Sequence, residues 1–268
     1  MMSRNMARKS IDELKALVSC GPPYSADLLA MLQGDTRAGV RALYVSCLRA
    51  QTRARLEEGR LAGMMRFERE AAEGGFKRIA GVDEAGRGPL AGPIAAAAVV
   101  LGCQVARLND SKQLTPELRD ELYEILAAGP HAIGVAVIEA EFIDRQGIQP
   151  ANYAAMAQAV EKIAPAPDFL LVDGFRIHGC PLPQKPLIKG DSRSASIAAA
   201  SIMAKVTRDR IMDEYERQYP GYGFAVNKGY ATKEHVEALE CLGPCPIHRR
   251  SFSPVTASVT TGSLFDDV

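Results

Sequence analysis

Residues 79–93, IAGVDEAGRGPLAGP, end a short apolar run on two adjacent carboxylates, Asp83 and Glu84, and follow them at once with glycines, one arginine and two prolines. Two other apolar runs also finish on acids: Phe169-Leu-Leu-Val172 leads into Asp173, and Pro186-Leu-Ile188 leads through Lys189-Gly190 into Asp191. Strand ends along one edge of an open α/β sheet are where ligands bind. Carboxylates converging there repel one another and are driven toward their protonated forms unless a cation neutralises them. All of these donors are oxygens with no His or Cys beside them, which favours Mg²⁺ or Mn²⁺ over zinc. The alternative leaves each acid as a separate helix cap or surface charge.

Adjacent strand residues point to opposite faces, so Asp83 and Glu84 serve one site only where the strand is finishing, and Gly86 supplies the turn. Gly86-Arg87-Gly88 then presents bare backbone N–H groups, and Arg87 can meet a phosphate. The spacing of Gly86, Gly88 and Gly92 is neither the dinucleotide fingerprint nor a P-loop. Lys112 in Asn109-Asp110-Ser111-Lys112, Lys228 and Tyr230 in Asn227-Lys228-Gly229-Tyr230, and Arg249-Arg250 after His248 add cations and a ring. Basic groups around an acidic pocket match a metal-dependent enzyme acting on a phosphodiester. Cys241, Cys245 and His248 form C-x3-C-x2-H, but no fourth ligand stands near, and zinc is set aside.

The elements that must hold these groups fall into two patterns. Residues 1–75 read as a helical extension: Ser10 and Glu13 make a capping box, Ser25 opens a second helix, and Asp35 caps a third with Val40, Leu43, Cys47 and Leu48 on one stripe. Over residues 1–76 there are 12 Lys and Arg against 9 Asp and Glu, a surplus that suits either a solvated helical face or an auxiliary nucleic-acid surface. Residues 76–254 alternate strands and helices, with strands near 78–82, 94–101, 132–138, 169–172 and 186–188. Helices are expected from Thr115-Pro116, over 152–163, over 194–219 and after Thr232. That order predicts an α/β domain, a mixed sheet covered by helices. Residues 255–268 form a tail with Leu264 and Phe265 as its anchors.

Composition fits such a protein. Of 268 residues 47% are hydrophobic and 24% charged, with no apolar run long enough to span a bilayer and no export signal, so a cytoplasmic protein without membrane contact is expected. The six cysteines are scattered, which argues for reduced thiols. Formal net charge is zero, and any nucleic-acid partner must be held by local charge.

The motifs DEAGRGPLAGP (83–93), LNDSK (108–112), LLVDG (170–174), KGD (189–191), SIAAASIMAKVTRD (196–209), KGYAT (228–232) and HRRSF (248–252) resemble, in content and order, those of bacterial ribonuclease HII. The resemblance implies a ribonuclease H-like fold with a helical N-terminal extension and C-terminal helices. It also implies an endoribonuclease that cuts the RNA strand of RNA–DNA hybrids and single ribonucleotides embedded in duplex DNA, by two-metal-ion hydrolysis that leaves 3′-OH and 5′-phosphate ends. Carried over by position, Asp83, Glu84 and Asp173 ligate two Mn²⁺ or Mg²⁺ ions and Asp191 completes the catalytic set. Gly86, Arg87 and Gly88 hold the ribose 2′-OH and its phosphate, Tyr230 senses the RNA-to-DNA junction, and Lys112 and Arg249 contact phosphates. Asp209 is a rival for the fourth acid, though its spacing from Lys205 suits a helical ion pair. Asn227 and Ala231 stand where many relatives carry His and Gly. The implied protein is a monomer with a role in ribonucleotide excision repair. A nucleic-acid-binding module with a dead site would need a broken carboxylate set, and the related ribonuclease HIII usually carries a sheet-rich N-terminal platform.

Overall fold

The computed structural model describes residues 9–256, so residues 1–8 and most of the expected tail, with Leu264 and Phe265, lie outside the described residues. The chain divides into two compact units, residues 1–63 and 64–268. In the first, α1 (Ile11–Val18), α2 (Ala26–Gln33) and α3 (Ala38–Met64) follow one another. The Ser10–Glu13 capping box is formed in both directions, and the Ser25 hydroxyl accepts from the Leu28 N–H. Asp35 instead accepts from the backbone N–H and guanidinium of Arg37, and α3 opens only at Ala38. Leu14, Leu32, Val40 and Cys47 bury together as this unit's core.

The second unit runs α4 (Arg66–Glu73), β1 (Ile79–Ala85), β2 (Ile94–Val100), α5 (Pro116–Ala128), β3 (Ala132–Ile138), α6 (Ala140–Gln146), α7 (Ile148–Glu161), β4 (Phe169–Asp173), β5 (Gln184–Leu187), α8 (Ala195–Gln218), α9 (Phe224–Asn227) and α10 (Lys233–Leu242). Short 3₁₀ turns stand at Ser111–Gln113 and Gly190–Ser192. The sheet order is β3-β2-β1-β4-β5, antiparallel through β1 and parallel from β1 to β5. This is the mixed sheet the sequence leads one to expect, with α6 added between β3 and α7. No described helix is long and apolar enough to cross a membrane.

The two compact units divide before α4, and the side chains give the reason. Phe67 is buried with Leu171, Leu187 and Ile197 of the sheet and α8. Glu68 accepts from the Ser194 hydroxyl at 2.6 Å and from the Ser196 N–H and hydroxyl at 2.9 and 2.7 Å, placing a carboxylate on the positive end of α8. Phe67 and Glu68 thus fasten α4 to the sheet and to α8.

Alternation along β1 and β2 sets what each face carries. Ala80, Val82, Ile94, Ala96 and Ala98 pack with Ala151, Ala155, Met156 and Ala159 of α7. The intervening residues Gly81 and Asp83 turn to the other face, against α8. A Cβ on Gly81 would stand 2.0 Å from the carbonyl carbon of Ser196, so α8 lies directly on the β1 backbone. Alanines at 95–98 let helices approach from both sides, and a larger side chain there would cost about 1–3 kcal/mol in overpacking.

Candidate active site

The parallel pairing of Val82 with Val172 brings the next residue of each strand, Asp83 and Asp173, to neighbouring positions at the sheet's edge. The strand continues one residue further, to Ala85, so Asp83 and Glu84 lean toward the helices on opposite faces, each meeting a polar residue there, yet at the strand's end their carboxyls remain close enough for Glu84 to raise Asp83. The Ser201 hydroxyl of α8 stands close enough to Asp83 to favour its ionised form, and is itself 2.8 Å from the Ser111 hydroxyl. Asn152 of α7 lies against Glu84 closely enough to favour its ionised form, short of hydrogen-bond geometry, and its buried amide has no other partner. Asp173 Oδ1 accepts from the Gly190 N–H at 2.6 Å, which ties β4 to the turn that carries Asp191.

These acids are charged groups in a poor solvent. Burial first, then Glu84 and Asp173, pushes the Asp83 carboxyl well above its usual range. Burial also raises Glu84, against the pull of Arg87, whose Nη1 is 3.5 Å from Glu84 Oε1. Asp191 is raised by burial, then by Asp110 and Asp173, while Lys112 Nζ, 3.6 Å from Asp191 Oδ2, opposes the shift. For Lys112 burial acts downward, but the combined fields of Asp83, Asp191, Asp110 and Asp173 hold its pKa up. Asp83 is raised by Glu84 and Asp173, and Asp191 by Asp173, with the Lys112 ammonium facing Asp191; such oxygen donors are of the kind that suits a hard divalent cation. Among the described residues no three His, Cys, Asp or Glu side chains close around a single ion position. Asp209 is not one of them: it holds Lys205 Nζ at 2.7 Å along α8.

The loop after β1 is built from within. Gly86 sits at φ +97°, and a Cβ there would fall 2.1 Å from Nε of Arg208, so only glycine fits. A Cβ on Gly88 would meet nothing within 4 Å, leaving that side open to a ligand. Among the described residues none accepts a hydrogen bond from the N–H of Gly86, Arg87 or Gly88. Arg87 donates to Gln149 Oε1 at 2.9 Å and lies 5.0 Å from the Phe175 ring centre, half-exposed beside the acids. The expected role of Arg249 is corrected here. It is fully buried, and its guanidinium donates to the carbonyls of Gly86, Arg87, Gly92 and Pro93, so it shapes the loop and cannot reach a phosphate. Burial, then the Arg208 guanidinium, lowers its pKa to about 9, and it stays protonated at neutral pH. Arg208, equally buried, donates to the carbonyls of Pro93, Lys228 and Ala91.

Tyr230 is 44% exposed, in the turn after α9, with its ring 5.8 Å from the Arg208 guanidinium carbon. Asn227 shapes that turn, donating to the Tyr222 carbonyl and accepting from the Gly229 N–H. The turn is joined to the loop after β1, for Leu90 N–H donates to the Gly229 carbonyl at 2.8 Å.

The sequence model of the ribonuclease HII family matches residues 80–255, and that of the ribonuclease HII N-terminal domain matches residues 10–72. The chain belongs to the ribonuclease HII family. A ribonuclease HII from Geobacillus kaustophilus is 49% identical over 93% of this chain and 96% of its own length, and one from Geobacter sulfurreducens is 53% identical over 70% and 88%. Among solved structures, the ribonuclease H2 from Pyrococcus horikoshii superposes with a TM-score of 0.59 at 24% identity, over 69% of this chain and 98% of that one, and carries the same fold. A chain of the PCNA:RNase HII complex from Archaeoglobus fulgidus gives 0.56 at 26% identity over 66% and 95%. As a ribonuclease HII the protein is a hydrolase, an endonuclease of the ribonuclease H class that acts on RNA–DNA hybrids.

Four residues of this ribonuclease HII escaped the reading of its motifs. Ser201 lies in the alanine- and serine-rich SIAAASIMAK stretch, a pattern that suits close packing of a helix on a sheet, and Arg208 in the charged stretch after it, which reads as a helix emerging into solvent. Asn152 is a lone amide on the apolar face of α7, a signal visible in the sequence as a polar residue among alanines. Asp110 raises Asp191 and faces Lys112, yet an acid in a polar loop carries no mark of burial.

Proposed function

We propose that the protein cleaves the RNA strand of RNA–DNA hybrids, and duplex DNA at single embedded ribonucleotides, with Asp83, Glu84, Asp173 and Asp191 holding two divalent cations, Mn²⁺ or Mg²⁺. When bound, the ions would lower the pKa of the attacking water and stabilise charge on the leaving 3′-oxygen, leaving 3′-OH and 5′-phosphate ends. The observation that carries this reading is the buried, mutually repelling carboxylate group beside a loop with unengaged backbone donors. Ser201 favours the ionised form of Asp83, the Gly190 N–H orients Asp173, and Arg87 and Lys112 offset the acids' charge until substrate and cations arrive.

The open side of Gly88 and the backbone donors of Gly86–Gly88 suit a ribose 2′-hydroxyl, the one group that separates RNA from DNA at a cut site. Arg87 and the exposed Lys112 suit the flanking phosphates. Tyr230, half-exposed at the far end of the same loop network, suits stacking on the deoxyribose after the cut, where a 2′-oxygen would clash. The enzyme acts as a monomer. Its place is the cytoplasm, which holds the genome in the bacteria of its relatives, and its task there is the removal of ribonucleotides from DNA.

The test is a duplex with one ribonucleotide, incubated with the protein in Mn²⁺, Mg²⁺ or chelator, with product ends mapped. Metal-dependent cleavage beside the ribonucleotide, lost in Asp173→Asn, is expected. Cleavage that persists in chelator, or 2′,3′-cyclic phosphate ends, would refute the mechanism.

A further inference from the structure

Behind Tyr230 the structure holds a buried pair of histidines that the chemistry above does not use. His235, in the first turn of α10, and His248, in the segment after it, are fully buried, with their Nε2 atoms 3.1 Å apart. His235 Nδ1 is 2.8 Å from the Tyr230 carbonyl oxygen, and His248 Nδ1 is 3.0 Å from the Cys245 backbone nitrogen and 3.1 Å from its sulfur. Tyr222 and Phe224 pack against both rings, with His248 4.9 Å from the Tyr222 ring centre.

The proton positions in this chain follow from its two ends. A backbone N–H can only donate, so His248 Nδ1 must accept, and the proton of a neutral ring then sits on Nε2. That proton points at His235 Nε2, which must in turn accept. The His235 proton therefore sits on Nδ1 and is donated to the Tyr230 carbonyl, an acceptor only. One arrangement satisfies every atom from Cys245 to Tyr230. A second proton on His235 would set two N–H groups head to head at the imidazole contact, and one on His248 would set two against each other at Cys245. Cys245 and Tyr222, which touch the pair, are neutral at physiological pH and offer no compensating charge. Burial accordingly holds His248 down to about 4 and lowers His235.

We propose that His235 and His248 are positioning residues for the substrate-facing tyrosine: two neutral imidazoles, each locked in one tautomer, that fix the Tyr230 carbonyl and through it the angle of the ring. This rests on the reading of Tyr230 as the sensor of the RNA-to-DNA junction. The geometry makes the link short. The carbonyl that His235 holds also accepts from the Thr232 N–H at 2.8 Å, so the backbone on the C-terminal side of the tyrosine is pinned from two directions. On the far side, the His248 segment is fastened to the loop after β1, with Gly92 N–H donating to Ile247 and Arg249 N–H donating to Leu90 at 2.9 and 2.8 Å. The imidazole pair thus joins the element that reads the junction to the loop proposed to read the ribose.

The experiment compares kcat/KM on a single-ribonucleotide duplex with kcat/KM on an all-RNA strand paired with DNA, for Tyr230→Ala, His235→Leu, His235→Asn and the double variant Tyr230→Ala/His235→Leu. Leucine keeps the bulk and removes the donor, whereas the asparagine amide can still donate where Nδ1 does. The ratio should fall about three- to tenfold in His235→Leu, the size set by one buried neutral hydrogen bond. It should recover in His235→Asn, and fall no further in the double variant than in Tyr230→Ala. In the unmutated protein, ¹⁵N spectra of labelled histidine at pH 7 should show His235 protonated at Nδ1 and His248 at Nε2, a readout that depends on no variant's folding. An unchanged ratio in His235→Leu while Tyr230→Ala lowers it overturns this inference and leaves the tyrosine reading intact. An unchanged ratio in Tyr230→Ala overturns that reading and this inference with it. Equal losses in the Leu and Asn variants, or the opposite tautomers, reduce the pair to packing.

Discussion

Replacing Arg249 by methionine removes the guanidinium while keeping an unbranched side chain in its channel. Four carbonyls accept from that group, and Pro93 keeps a second donor in Arg208 Nε at 2.9 Å. The carbonyls of Gly86, Arg87 and Gly92 are left without a donor among the described residues. An orphaned buried acceptor costs about 1–3 kcal/mol, and part of that is relieved at Arg87, which borders solvent. Removing a cation beside Arg208 also returns some repulsion. The expected net loss is about 3–5 kcal/mol, the range found when a buried charged network is broken and a large share of a typical folding free energy. Urea unfolding followed by circular dichroism, in chelator, measures it. Binding supplies the second readout: the dependence of hybrid affinity on salt should keep its slope in Arg249→Met, whereas Lys112→Ala should lower it by about 0.9, one phosphate's worth. Parental stability together with a shallower slope would mean that Arg249 reaches the nucleic acid and that its burial has been misread.

Three further outcomes are expected. The folded-state pKa of Asp83 is raised above 3.8, so as pH rises from that value toward the folded one the native state retains a proton that the unfolded chain has lost, and stability falls across the window. Asp83→Asn, permanently neutral, should therefore be inactive yet about 0.5–2 kcal/mol more stable in chelator at pH 7, with the gain vanishing below about pH 4; melting equal to the parent's at pH 7 would contradict the repulsion. A chain starting at Met64 should melt close to the corresponding transition of the full protein, while one starting at residue 76 loses Phe67 and the Glu68 cap and should be about 3–5 kcal/mol less stable; indistinguishable melts would place the boundary at 75 after all. Asn152→Leu removes an unpartnered buried amide and should raise stability while lowering turnover, because Glu84 loses the group beside it; unchanged turnover would leave Asn152 without a role at the site.

The strands, their acids and the glycine loop were legible because each rests on local pattern: apolar runs that end on Asp83, Asp173 and Asp191, and Thr115 and Thr232 before helices they do cap. What was not legible depends on long-range burial. Arg249 reads as a surface cation in HRRSF, and only the fold shows it enclosed by carbonyls of residues more than 150 positions away. Glu68 reads as one charge on a solvated helix until Ser194 and Ser196 are brought to it. The alternation rule for Asp83 and Glu84 held, but what it meant for the site appeared only once α7 and α8 were on their faces.

The two buried arginines also bear on the order in which the enzyme comes into being. A chain emerging from the ribosome has all four carboxylates once residue 191 is made, but Arg208 and Arg249, whose guanidiniums gather the carbonyls of the loop after β1, come later. An unfinished chain of that length would hold the acids beside a loop whose carbonyls lack these donors. The loop after β1 thus takes its final shape only once residue 249 has been made, more than 150 residues after the loop itself.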